Sequence, residues 1–206
     1  MPAGYLFVNG AFWDNDKRDR YSKALPPIYK QFGGHYIAYG GPIEVIEGVW
    51  APRGSLIAQF DSPELVERFW WCPEYRAAAT IRQGGGAFTV LKLDGRLPAM
   101  RPPQGSAFLI MFAKVRDESA LNLIQGTIEA IAGRVGGETL AVAPANSLRP
   151  LEGAFYDTAI HLSRWPSMAA LKGFLADPHY AALAAERRAL GDIVVLARPA
   201  LDNPPF

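Results

Sequence analysis

Apolar positions along the chain fall into short β-favouring runs and longer stretches of helical spacing, and the two alternate in the same order twice. Residues 5–10 form the first strand-like run. Residues 14–32 follow with Tyr21, Leu25, Ile28 and Phe32 on one helical face and the charged run 16–20 on the other. Pro26 and Pro27 lack an N–H and crowd the preceding turn, so a kink or restart is expected there; Gly33-Gly34 ends the helix. Strands are expected at 35–39, 43–50 and 54–60. Ser62-Pro63 then opens a helix, Pro73 breaks it and opens another, and a closing strand covers 87–93. The second half follows suit: strand 107–115, helix 117–134, strands 139–142 and 154–162, helical residues 167–188 with a second Asp-Pro break at 177–178, and strand 193–198.

The two halves also match in residues. Cys72-Pro73-Glu74-Tyr75 aligns with Asp177-Pro178-His179-Tyr180, and the same spacing pairs Glu47-Gly48 with Glu152-Gly153, Phe60 with Trp165 and Arg82 with Arg187. This is the mark of a tandem duplication, with residues 1–94 as one module, a proline- and glycine-rich linker at 95–105, and a divergent module at 106–206. Each reads βαββαβ, an α+β, ferredoxin-like module with an antiparallel sheet and helices on one face. The strands are apolar on nearly every residue, so the second sheet face must also be covered. Packing the two sheets face to face would close an intrachain α/β barrel.

The first half resembles domain-of-unknown-function family 1330 of the dimeric α/β-barrel superfamily. The resemblance rests on Pro26-Pro27, Phe32-Gly33-Gly34-His35-Tyr36, Gly40-Gly41, Glu47-Gly48-Val49-Trp50-Ala51-Pro52-Arg53, Phe60-Asp61-Ser62, Cys72-Pro73-Glu74-Tyr75 and Arg82. It implies the ferredoxin-like fold and a cavity between paired sheets, but no particular reaction. Superfamily relatives include cofactor-free monooxygenases, lactone isomerases, haem peroxidases and polyketide cyclases, so the fold alone selects none of them.

Composition narrows the partners. Lysine and arginine number 21 against 20 acids, a net charge of +1, without the basic surplus that a nucleic-acid phosphate backbone calls for. The longest apolar run, 107–113, falls far short of the ~20 residues of a membrane-spanning helix. Cys72 stands alone, which excludes an intrachain disulfide and fits a reducing, cytoplasmic setting. The expected partner is a small molecule, the expected state a monomer closed on itself or a homodimer. Trp70 and Trp71 point different ways on their helix, so one can fill the core while the other covers a subunit contact.

Features shared by both halves are read first as fold-making: the Glu-Gly pairs as turn or bulge formers, Arg82 and Arg187 as partners of helix dipoles. The candidate catalytic set is His35, Tyr36 and Arg53. His35 or Tyr36 would move a proton and Arg53 would hold a carboxylate or enolate through parallel N–H donors. Trp50, Tyr75 and His161 are the candidate substrate-binding residues. Alternation places Asp157, Ala159 and His161 on one strand face. No metal-ligand spacing, phosphate loop or nucleophile elbow occurs. The leading expectation is a cofactor-free isomerase, cyclase, lyase or monooxygenase acting on a small apolar carbonyl or carboxylate compound in an intersheet cavity. The alternatives are a non-catalytic ligand-binding or stress-related module, and a haem enzyme using His161.

Overall fold

The computed structural model describes residues 1–51 and 54–202. The first half contributes strands β1 (Gly4–Phe12), β2 (His35–Tyr39), β3 (Glu44–Glu47), β4 (Gly54–Phe60) and β5 (Gly86–Asp94), with helices α1 (Asn15–Gln31), α2 (Pro63–Trp71) and α3 (Pro73–Ile81). The second contributes β6 (Ala107–Val115), β7 (Glu138–Ala143), β8 (Pro150–Glu152), β9 (Ala159–Trp165) and β10 (Gly191–Pro199), with α4 (Glu118–Gly133), α5 (Met168–Leu175) and α6 (Pro178–Arg188). Local chemistry sets the helix starts. Asp14, Ser62, Asp117, Ser167 and Asp177 each accept a backbone N–H at an N-cap, and Cys72 does so through its thiol. α1 runs through Pro26 and Pro27 as one helix, without a restart there. The bonds the prolines forfeit are outweighed by burial of Leu25, Ile28 and Tyr29 against the sheet.

Each half builds a four-stranded antiparallel core, but each sheet has five strands, in the orders β2-β4-β1-β5-β8 and β3-β10-β6-β9-β7. The fifth strand comes from the other half. β3 pairs with β10, and β8 pairs with β5. This exchange explains the repeated Glu-Gly pairs better than a local turn does. Glu47 ends β3 and receives the Arg187 guanidinium at 2.7 Å, while Glu152 ends β8 and receives both terminal nitrogens of Arg82. Gly48 and Gly153 both have φ +77°, and a Cβ on either would lie 2.3–2.4 Å from a backbone oxygen of the strand that the arm joins. Arg82 and Arg187 are therefore ion-pair partners across the two halves rather than mere helix-end cations.

The two sheets pack face to face, as the α/β-barrel expectation required. Tyr5, Phe7, Ile37, Ile57, Leu91 and Leu93 of the first half meet Phe108, Ile110, Phe112, Leu140, Ile160 and Leu196 of the second in one buried cluster. Phe7 and Phe112 touch across it at 5.6 Å. The space between the sheets is thus filled by side chains from both. Each half also has a core under its own helices. The linker is docked, with Gly95 N–H bonded to Ala3 and Arg96 N–H to Leu140 of the second half. Trp70 is buried against Tyr75, and Trp71 is exposed, so only the latter is available to a second copy.

The two straps differ in exposure: Arg187 and Glu47 are both buried, whereas Glu152 is about one-third exposed. Removing one member of a buried pair strands the other charge, at a cost of about 3–5 kcal/mol. Glu47→Ala is therefore expected to lower unfolding free energy by roughly that amount, and Glu152→Ala by clearly less. Urea titrations would show the asymmetry, and equal losses would refute it.

Candidate functional site

Two strand bulges decide which side chains face the helices. Between Tyr36 and Ala38 the register against β4 slips by one residue, so Ile37 and Ala38 both enter the intersheet cluster. Tyr36 and Tyr39 consequently share the helix-side face, their rings 5.4 Å apart. A matching slip between Thr139 and Ala141 turns Leu140 and Ala141 inward together in the second half.

On the helix side of the first sheet, α1 roofs a cavity of about 380 Å³. Its walls are apolar (Leu6, Val8, Leu25, Leu56, Phe88, Val90) and carry five tyrosines, Tyr21, Tyr29, Tyr36, Tyr39 and Tyr75. Arg18 and Arg82 are its charged lining residues, and no carboxylate or imidazole lines it among the described residues. The Tyr21 and Tyr75 hydroxyls lie 3.1 Å apart, and Arg82 covers the rings of Tyr21 at 5.3 Å and Phe88 at 4.5 Å. Burial raises the pKa of Tyr21, Tyr29, Tyr36 and Tyr75, so these phenols stay protonated and serve as hydrogen-bond donors rather than bases. Burial draws Arg82 down, but its hydrogen bonds to Glu152 and the field of Tyr21 and Tyr75 outweigh that, and its charge is permanent.

A third guanidinium abuts the cavity wall. Arg198 of β10, 1% exposed, reaches into the first half. It donates to the Ser55 carbonyl and hydroxyl at 2.7 and 2.6 Å and to the Gly40 carbonyl at 2.5 Å. Gly40 and Ser55 both line the cavity. Among the described residues Arg198 pairs with no carboxylate; burial lowers its pKa to about 10, which leaves it charged at neutral pH. The field at this end of the cavity favours electron-rich or anionic groups.

The structure divides the residues singled out from the sequence. Tyr36 and Tyr75 meet at the first cavity. His35 is on β2 two positions from Ile37 and faces the other sheet, across the strand pair from Gln59, its Nε2 buried without a hydrogen-bond partner. Trp50 stacks on Phe112 at 5.1 Å and closes one end of the intersheet cluster. His161 lines a different cavity, of about 350 Å³, under α4. Arg53 lies outside the described residues. Of the residues that line or abut the cavity, Tyr21, Tyr29 and Arg198 were not singled out. Tyr21 had only its helical spacing as a signal, and Arg198 had none.

These features define a cavity beneath the helices of an α/β barrel closed within one chain, and comparisons with known proteins agree on the fold. The chain belongs to the family described as domain of unknown function DUF1330, whose model matches it twice, over residues 3–95 and 106–198. No curated protein matches it in sequence. Among solved structures, a provisionally assigned monooxygenase of Fusobacterium nucleatum superposes with a TM-score of 0.59 at 9% identity, over 99% of this chain and 94% of that one. Another, of Lactobacillus acidophilus, gives 0.54 at 10% identity over 99% and 96%. An anthrone oxidase-like protein gives 0.52 at 16% identity over 96% and 91%. At such identities the likeness is one of fold. No helix among the described residues is long and apolar enough to cross a membrane.

Burial and the nearby Arg101 lower the His35 pKa. Above its unfolded value of about 6.5 both states are neutral. Below it the unfolded chain takes up a proton that the folded chain resists, so stability falls with acidification. Between about pH 7.5 and about pH 5, His35→Gln is expected to lose less stability than the parent. Parallel unfolding curves at the two pH values test this, and identical losses would refute it.

Proposed function

We propose that this protein binds a small, mostly apolar carbonyl or carboxylate compound in the cavity under α1 and acts on it as a cofactor-free enzyme. The observation that carries the reading is the wall chemistry: apolar surface, protonated tyrosine hydroxyls at Tyr21, Tyr36 and Tyr75, cationic Arg18 and Arg82, and Arg198 bonded to the wall residues Gly40 and Ser55. Such a site suits a ligand oxygen on which negative charge develops. Phenolic donors in a water-poor cavity stabilise an enolate or oxyanion more than the neutral carbonyl, which is the requirement for catalysis rather than mere binding. A volume of about 380 Å³ lies within the range of small-ligand sites.

The proposal keeps Tyr36 and Tyr75 in contact with ligand and assigns His35 and Trp50 to the packing between the sheets. Arg53, which directly precedes Gly54 in the sequence, keeps its proposed role as an anion anchor. Isomerisation, cyclisation, lyase chemistry and oxygen insertion each have a route through an anionic or enolic intermediate, and this wall would favour that route. The likeness to the monooxygenase-fold structures supports a small-molecule role of this kind without choosing among them. A cytoplasmic, self-contained monomer is the matching setting.

Acetophenone and benzoate serve as probes of the two ligand classes. At least one is expected to raise the melting temperature of the parent protein. Tyr75→Phe should weaken that ligand by roughly 3- to 10-fold, the worth of one hydrogen bond. Leu56→Trp, which fills the cavity, should abolish the shift. If neither probe nor a wider carbonyl and carboxylate panel shifts the parent, and Leu56→Trp simply raises the melting temperature, the void is a packing gap. A non-catalytic module would then replace the enzyme.

A further inference from the structure

The second copy has a helix-side cavity in the same place with different chemistry. In both copies the strand after the connecting arm begins its pairing with the first strand alike: Phe60 opposes Gly4, and Trp165 opposes Ala107. Four residues before each lie Leu56 and His161, opposite Val8 and Met111 on one side and Tyr39 and Val142 on the other. Likewise, counting twelve residues on from the N-cap aspartates Asp14 and Asp117 reaches Pro26 and Glu129. Leu56 and Pro26 line the first cavity; His161 and Glu129 line the second. Two structurally equivalent apolar positions of one copy are thus an imidazole and a carboxylate in the other.

The substituted residues are joined. His161 is 6% exposed, and its Nε2 lies 3.0 Å from Glu129 Oε1 and 3.4 Å from the Thr139 hydroxyl. Glu129 is held in turn by Arg96, whose Nη1 is 3.0 and 3.2 Å from its two carboxylate oxygens. The hydrogen bond from His161, helped by the charge of Arg96, keeps the Glu129 carboxyl low, so it is ionised at neutral pH. In the neutral tautomer that donates Nε2–H to this carboxylate, Nδ1 is the bare nitrogen, and it makes no hydrogen bond to a described residue. This is a base held by an orienting acid, beside a cavity of about 350 Å³. The charged lining groups are Arg96, Glu118 and Glu129 besides His161; Arg96 balances Glu129, and Glu118 caps the Ala145 N–H. With no surplus cation, the site disfavours an anion and suits a neutral ligand. Met111, Leu121, Val142 and Ile160 supply apolar wall for a ring.

We propose that the second cavity is a separate site for a small neutral compound with a weakly acidic hydroxyl, a phenol or enol, whose proton passes to His161. The O–H bond breaks, an N–H bond forms on Nδ1, and the oxyanion remains beside the imidazolium that Glu129 stabilises. No electron transfer is involved. The first cavity, which lacks a described base among its walls, does not perform this step.

The probe is 4-nitrophenol, added to the full chain at a pH well below the probe's own pKa and followed by its phenolate absorbance. Saturable appearance of the phenolate band is expected for the parent and for Leu56→Trp, whose first cavity is blocked. His161→Leu, which restores the residue of the first copy, should remove the band and weaken binding about tenfold or more. His161→Asn is the alternative if the leucine variant fails to fold. Glu129→Gln should keep binding but reduce the phenolate fraction, a split that a merely structural role would not produce. Binding without a phenolate band, a band that persists in both His161 variants, or one lost only in Leu56→Trp would each overturn the proposal.

Discussion

The molecule is held in its closed form by the exchange of two short arms, each ending in a glutamate that lands on an arginine of the opposite half. Hydrophobic burial between the sheets supplies most of the driving force, but it is non-directional and would tolerate many relative slides of two greasy surfaces. The Arg187–Glu47 and Arg82–Glu152 pairs tolerate few. Arg187, Glu47 and Arg82 have largely left water, and the loss is recovered only when the partner arrives in register, so the pairs specify geometry more than they add net stability. The glycine after each glutamate lets the chain turn away where a side chain would strike the receiving strand. Everything else, including the cavities beneath the helices, is laid out by that docking.

Arg82 shows how the closure reaches the site. The same guanidinium that binds Glu152 lies over Tyr21 and Phe88, so an inter-half strap also forms part of the first cavity's wall. Arg187 is placed in the same way beside Tyr180, within 3.3 Å of its hydroxyl. Arg198 makes the link in the other direction, from the last strand of the second half to the Gly40 turn and Ser55 of the first. The walls of the first cavity therefore depend on contacts that exist only when both halves are joined.

Much of the fold was legible because it rests on local signals. Ser62-Pro63, Cys72-Pro73 and Asp177-Pro178 mark helix starts through caps and fixed proline geometry, and the repeat announces two like modules. The arm exchange was not legible: β3 and β8 read as strands or turns of their own half, and nothing in periodicity says which sheet a short run joins. The site was half legible. Tyr36 and Tyr75 were picked out, but a bulge at Ile37-Ala38 decides facing, and alternation alone places Tyr39 wrongly by one residue. His35 looked equivalent to its neighbour Tyr36, yet adjacent strand residues point to opposite faces, and only the assembled sheets show which face has room. The restart open at Pro26-Pro27 does not occur, because tertiary packing of α1 overrides a local preference.

A barrel of this architecture assembled from two separate chains would have its closure compete with dilution. Here the docked tether from Gly95 to Ser106 keeps the halves at a fixed and high effective concentration. Assembly is then a first-order event, insensitive to how much protein is present. It also frees each half from the demand of self-complementarity that a symmetric pair imposes, so that a change in one need not be matched in the other.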